Sequence, residues 1–287
     1  MRMATFQDPF VRVLNHLVNT LTASHIAAFP VRCWAPADAV VKVSEEIAED
    51  RLDFSHAPIR DGKGHVMWIA RREDLNEKCG LLRDHAKPFE EGHVVDANHP
   101  LRDTLLLLRH HGVLLVRSPE SGYPDGISGI INHADIQKTP VRLLLFAQIT
   151  EIETKLRNRV SRTCWEKCPY CETYKNTAKR RMNKWKDQEG RLPLANYLNL
   201  RELMLLTKAL EIPLLQKLWG VESKKPPEGE FEKLAKELKD LRNAVAHGND
   251  IGYRCGATPL NTIQSVNSAF DLVDNILAAV RRLGLKD

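Results

Sequence analysis

The sequence predicts a multidomain protein in which an α+β unit of two similar halves, residues 29–140, precedes an all-α helical bundle, residues 141–287. Residues 1–28 are expected to form an N-terminal amphipathic helix. Three observations carry this. A length of 287 residues exceeds the usual size of one domain. Between Phe29 and Pro140, short β-rich runs alternate with helical ones, and their order recurs at a spacing of about sixty residues, the mark of an internal duplication. After Thr139-Pro140 the strand pattern stops and apolar residues keep helical spacing to the end of the chain.

Composition is that of a soluble globular protein, 43% hydrophobic and 28% charged. No apolar run approaches the roughly 18 to 20 residues needed to span a bilayer, and the N-terminus lacks a signal-peptide layout, so no membrane partner and a cytoplasmic location are expected. Six cysteines in such a chain read as reduced thiols or metal ligands before disulfides. The net charge of +5 conceals an asymmetry: residues 1–140 carry 16 basic and 19 acidic side chains, the remainder 26 and 18. The C-terminal half is therefore the one suited to a polyanion.

Taken in order, Phe10, Val11, Leu14, Leu17, Val18, Leu21 and Ile26 have helical spacing and mark an amphipathic helix over residues 9–26, packed on the first domain or on a dimer mate. Val31–Trp34 is a strand candidate, Ala37–Glu49 a helix, His56–Arg60 a strand, and Val66–Ala70 a second strand after the turn Asp61-Gly62-Lys63-Gly64. The order then recurs, with a helix at Leu101–His110 and a strand at Val113–Val116. A Ser/Gly/Pro-rich turn covers 118–126, and the strand Ile127–Ile131 leads into His133-Ala134-Asp135-Ile136.

This duplication resembles a tandem CBS-domain pair, a regulatory module whose cleft commonly holds adenine nucleotides. The second half, Ile127-Ser128-Gly129-Ile130-Ile131-Asn132-His133-Ala134-Asp135-Ile136, resembles that family's Gly-apolar-apolar-Thr-x-x-Asp-apolar ending, in which the Thr or its substitute contacts phosphate and the Asp holds the ribose hydroxyls. The resemblance implies Asn132 and Asp135 as contacts for AMP, ADP or ATP acting as a regulatory ligand. In the first half the matching stretch is Trp68-Ile69-Ala70-Arg71-Arg72-Glu73-Asp74-Leu75. Asp74 is kept, Trp68 replaces Gly and Arg71 replaces Thr, and a guanidinium there still favours a phosphate. A pair that serves only as a dimerisation scaffold is the alternative.

Val141–Val160 reads as one long helix with Glu151, Glu153, Lys155, Arg157 and Arg159 on its polar side. Continuing directly from the paired unit, it is expected to let a ligand in one domain bias the other. Cys164, Cys168 and Cys171 follow. Cys168-Pro169-Tyr170-Cys171 has zinc-knuckle spacing that Cys164 or Cys255 would complete as a structural zinc site, and buried free thiols are the alternative. The same four residues match the redox motif of glutaredoxins, without the strand-helix context that motif needs. Residues 174–191 form a basic helix in which Lys179, Arg180, Arg181, Lys184 and Trp185 suit an RNA backbone and a stacked base, or simply a solvated face. Leu198–Trp219 is amphipathic, 224–229 is a loop, and Thr262–Leu283 is a closing bundle helix.

Between them, Phe231, Leu234, Ala235, Leu238, Leu241 and Val245 mark the buried face of a helix running from Glu230 to His247, with Gly248 suited to its C-cap. Away from that face stand Arg242, Asn243 and His247, the last two an i,i+4 pair. An Arg clamps phosphate through two donors and a His moves a proton near neutral pH.

Arg242-Asn243-x-x-x-His247 at the end of a late helix resembles the active motif of the HEPN superfamily, many of whose members are metal-independent endoribonucleases. The resemblance implies Arg242 and His247 as the catalytic pair, Asn243 orienting the His or contacting phosphate, and an acidic residue from the domain's first helix, here Glu153 with Glu151 close behind; ordinary i,i+4 pairing of Glu153 with Arg157 is the alternative. It implies two motifs meeting across a homodimer, RNA as substrate, 2′,3′-cyclic phosphate and 5′-hydroxyl products, and a use in stress or anti-phage defence, with a restraining protein such as an antitoxin as a further partner. Two alternatives differ in class: a non-catalytic RNA-binding or dimerisation scaffold, and an adenylate sensor acting on a partner protein.

Overall fold

Two three-stranded sheets, each fed by its own helix, organise the first part of the chain. The computed structural model describes residues 13, 16–49, 56–75, 79–161, 163, 165–168, 171–184, 194–210, 230–247 and 271. The chain divides into two compact units, one of Asn19–Val141 and one of Met1–Val18 with Arg142–Asp287.

In the α+β unit, α1 (Val40–Glu49) precedes the antiparallel hairpin β1 (His56–Arg60) and β2 (Val66–Arg71) and the short helix α2 (Arg72–Leu75). The short strand β3 (Lys87–Pro88) adds to β2. In the second half β4 (Val94–Asp96) runs parallel to β5 (Val113–Arg117), with α3 (Leu101–His111) between them, and β6 (Ile127–Asn132) returns antiparallel to β5. Both halves thus read helix, strand, strand, helical turn. Leu101, Thr104, Leu105 and Leu108 form the buried stripe of α3, the i, i+3, i+4, i+7 pattern of an amphipathic helix. The helix stops at Gly112, whose φ of +78° only glycine adopts at little cost and whose N–H donates to Leu108 O. All four apolar residues of β5 are buried.

Two expectations are corrected, and two strands carried no expectation. Val31–Trp34 is not a strand: Val31 N donates to Ser128 O, whereas Trp34 N donates to Pro58 O. The segment therefore leaves β6 for β1 too quickly to build a ladder with either, and Trp34 keeps one isolated bridge to Ile59. The N-terminal helix does not reach Ile26, because Thr22 and His25 close a capping box on a 3-10 turn at Ala23–His25. Strands β3 and β4 carry no periodic signal, being two and three residues long, too short for alternation to register.

In the helical unit the described residues form helices, 3-10 turns and connecting turns, with no strand among them. Helix α4 (Thr139–Ser161) begins at the division between the units and buries Leu145, Ile149, Ile152, Leu156 and Val160. Helices α5 (Glu172–Lys184), α6 (Leu200–Leu210) and α7 (Glu230–Ala246) follow. Leu203, Leu206, Ala235, Leu238, Leu241 and Val245 join α4 in one core, and α6 packs on α7. The side chains of Phe231 and Leu234 and the expected closing helix lie outside the described residues, except for Asp271, which is helical. No helix among the described residues is long and apolar enough to cross a membrane.

Candidate functional site

Arg71 and Asn132 occupy equivalent places, each the last residue of its half's second long strand, and Asp74 and Asp135 follow three residues later. The local chemistry of the two halves differs. Asn132 Oδ1 accepts from Ala134 N at 2.7 Å, and Asn132 N donates to Asp135 Oδ2 at 2.7 Å. This capping box is available because both residues carry acceptors, and both side chains are buried. Lys138 Nζ takes the other Asp135 oxygen, Oδ1, at 2.7 Å and also donates to Ile26 O. A ribose hydroxyl bound by Asp135 would therefore displace or share the ammonium. In the first half Arg71 has no acceptor with which to cap, so it stands exposed and reaches Glu73 at 3.4 Å, leaving Asp74 half-buried.

In the helical unit, Arg242 and Asn243 are half-buried and His247 is exposed, while Leu241, Ala244 and Val245 between them are buried. His247 N donates to Asn243 O at 3.0 Å, which fixes the i,i+4 relation at the end of α7, and Gly248 lies outside the described residues. Glu153 does not stand alone on α4: Arg157 Nη2 reaches its Oε1 at 2.7 Å, and Lys155 holds Glu151 at 2.9 Å. Arg157 also keeps its Nε buried with no hydrogen-bond partner.

The basic helix is split by its contacts. Lys179, Arg180 and Lys184 are exposed. Arg181 turns inward, bidentate to Glu202 with Nη2 2.8 Å from Oε1, and donates to Tyr197 O. Glu202 also accepts from Asn199 N at 2.8 Å, while Asn199 Oδ1 accepts from Glu202 N at 3.0 Å. Arg181 therefore locks the capping box that starts α6 to the end of α5 and is not part of a free phosphate-binding face. Trp185 lies outside the described residues.

Of the candidate zinc ligands, Cys168 and Cys171 are brought together as free thiols, and Cys164 and Cys255 lie outside the described residues. Burial pushes the Cys171 thiol up to about 12, helped by a hydrogen bond with Cys168 and by its charge. The thiolate that zinc needs is thus disfavoured at Cys171. No three His, Cys, Asp or Glu side chains among the described residues are grouped to hold a metal ion.

A contact that motif reading passes over lies in the α+β unit, where the rings of His93 and His111 meet with centroids 4.6 Å apart. The signal was compositional, since ten of the eleven histidines precede residue 140.

No family model matches the chain, and no curated protein matches it. Among solved structures the chain is similar to a hemolysin-like protein containing a CBS domain from Oenococcus oeni PSU, at 14% identity and a TM-score of 0.35, covering 44% of this chain and 94% of that one. It is similar to the CBS domain of a bacterial CNNM/CorC family Mg2+ transporter in complex with ATP, at 14% identity and a TM-score of 0.36, covering 47% and 94%. It is also similar to CBSX2 in complex with AMP, at 16% identity and a TM-score of 0.33, covering 40% and 92%.

Proposed function

We propose that the chain is a metal-independent endoribonuclease whose helical unit cleaves RNA and whose α+β unit holds an adenine nucleotide that regulates it. The observation that carries the reading is the position of Arg242, Asn243 and His247 at the end of α7, off its buried face, with His247 exposed. In the reaction the ribose 2′-oxygen attacks the adjacent phosphorus, the bond to the 5′-oxygen breaks, and that oxygen takes up a proton. His247 serves as proton donor or acceptor, and Arg242 offsets the charge that builds on the phosphoryl oxygens. Two copies of the chain are expected to bring two motifs together. Asn132 and Asp135, with Arg71 and Asp74 in the other half, are the proposed nucleotide contacts.

The test incubates purified wild-type, His247→Ala and Arg242→Ala protein with total RNA in EDTA, with and without ATP, ADP or AMP, and analyses the product ends. Cleavage by the wild type alone, leaving 2′,3′-cyclic phosphate, is the expected result. Equal cleavage by both variants overturns it. A second reading, a non-catalytic RNA-binding protein, is favoured by the exposed Lys179, Arg180 and Lys184 on α5. It requires retention of RNA with no product ends and an affinity that falls steeply with salt.

A further inference from the structure

Cys168 and Cys171 stand just before α5 in the helical unit, both as free thiols. Consecutive backbone bonds wind the chain through them: Cys168 N donates to Trp165 O at 3.0 Å, and Cys171 N donates to Cys168 O at 3.1 Å. A bond of the second kind closes a four-residue turn and holds its end Cα atoms within about 7 Å. A disulfide takes Cα separations of roughly 4.4–6.8 Å. The side chains converge as well, since the two thiols share a hydrogen bond and pack on the same core. This needs no strand-helix context, because a turn and one core bring the sulfurs together.

The pair is asymmetric. Cys171 is fully buried beside the core residues Trp165 and Ala178, whereas Cys168 is half-buried and packs against that core from its edge. A reagent from solvent therefore meets Cys168 first. The other described cysteines, Cys33 and Cys79, belong to the α+β unit.

We propose that Cys168 and Cys171 form a reversible dithiol–disulfide couple, oxidised by low-molecular-weight disulfides of the glutathione type, with Cys168 as the attacking sulfur and Cys171 as the resolving one. Disulfides that form inside cells are usually transient ones of this sort. In the first step the Cys168 sulfur attacks one sulfur of the reagent. The reagent's S–S bond breaks, and its other half leaves as a thiolate that takes up the Cys168 proton. In the second step the Cys171 sulfur attacks the Cys168 sulfur, the mixed disulfide breaks, and the second half leaves with the Cys171 proton. Two electrons pass from the protein thiols to the reagent, which ends as two thiols.

The second step is the slow one. Burial, the hydrogen bond with Cys168 and the charge of Cys168 all keep the Cys171 thiol protonated. The last two vanish once Cys168 carries the reagent, while burial remains. Proximity offsets that burial, since attack within one turn is intramolecular.

The test exposes reduced full-length protein to graded ratios of oxidised to reduced glutathione at pH 7.5. Samples are quenched in acid, unfolded, alkylated and digested with trypsin. Cleavage after Lys167 and Lys175 isolates residues 168–175, whose only cysteines are these two. Expected is a peptide lighter by two hydrogens, restored by dithiothreitol. It should be half formed at a glutathione ratio at least threefold lower in folded than in urea-unfolded protein. A smaller difference, a Cys168 adduct that never resolves, or pairing of either residue with Cys164 or Cys255 overturns the proposal. Cys171→Ser should arrest Cys168 as the glutathione adduct, and Cys168→Ser should leave Cys171 unmodified in the folded protein. Any adduct at Cys171, or none at Cys168, overturns the assigned order. Should a variant fail to fold, the wild type decides the order, through which cysteine carries the adduct that precedes the disulfide in time.

Discussion

Arg60 on β1 and Asp125 in the turn before β6, 65 residues apart in sequence, form a largely buried ion pair at 3.1 Å that joins the two repeats. Arg60 also donates to Gly64 O and to Ile127 O and stacks over Tyr123 at 3.8 Å. Asp125 in turn accepts from Val66 N at 2.7 Å and Ile127 N at 3.0 Å. Removing one partner leaves a charge with its remaining contacts unbalanced, so Arg60→Ala and Asp125→Ala should each cost about 3–5 kcal/mol. In a urea-unfolding double-mutant cycle the two losses should be markedly less than additive, and simple additivity would deny the coupling.

The same pair has a pH signature of its own. Burial works to raise the Asp125 carboxyl, but the hydrogen bonds from Val66 N, Ile127 N and Arg60 prevail and hold it below the usual carboxylate range. Its contribution is therefore full above the unfolded value of about 3.9 and is lost as pH falls through the lower folded value. Asp125→Asn should flatten the acid limb of stability below about pH 4. Parallel unfolding curves for wild type and variant down to pH 2 would contradict this.

His247 is exposed and beyond the end of α7, so His247→Ala should change unfolding stability by no more than about 0.5 kcal/mol. Loss of RNA cleavage at unchanged stability would mark a chemical role. Loss of both together would mark a structural one.

Asp135→Ala should weaken the fold as well as any nucleotide site, because Asp135 accepts from Asn132 N and holds Lys138. Loss of a cap acceptor costs about 0.5–2 kcal/mol. Lys138→Met leaves the cap intact while freeing Asp135 Oδ1, so calorimetric titration with ATP, ADP and AMP should separate the roles. Nucleotide affinity lost in Asp135→Ala but kept in Lys138→Met identifies a direct contact, whereas identical affinity in wild type and Asp135→Ala removes Asp135 from the site.

Thiol reactivity should separate the cysteines sharply. Cys79 is exposed, whereas Cys171 is buried with its thiol raised to about 12, so almost none of it is thiolate at neutral pH. Iodoacetamide at pH 7.5 with peptide mapping should label Cys79 rapidly and Cys171 only on unfolding. Equal labelling rates in the folded protein would show that the α5 end of the core opens readily.

What was legible in the sequence is what short-range patterning encodes. Hydrophobic spacing located α3, β1, β2, β5, β6 and α7 to within a residue or two, because one buried face repeats along each element. Val31–Trp34 shows the limit: its apolar residues look like a strand, yet its hydrogen bonds are divided between β6 and β1. Patterning reports that a residue is buried and not which neighbour it meets.

The sequence by itself determined the duplicated order of elements, the helices α4 to α7 among the described residues of the C-terminal half, and the placement of Arg242, Asn243 and His247 off the buried face of α7, since all three follow from periodicity along one chain segment. Only the tertiary structure decided that Arg181 closes onto Glu202, that Asp135 is engaged by Lys138 and Asn132, that Arg60 finds Asp125, and that the rings of His93 and His111 meet. Apart from the local Asp135 cap, these pairings join residues on different elements, where partner choice depends on how elements pack in space and on which polar group must be satisfied once water is excluded.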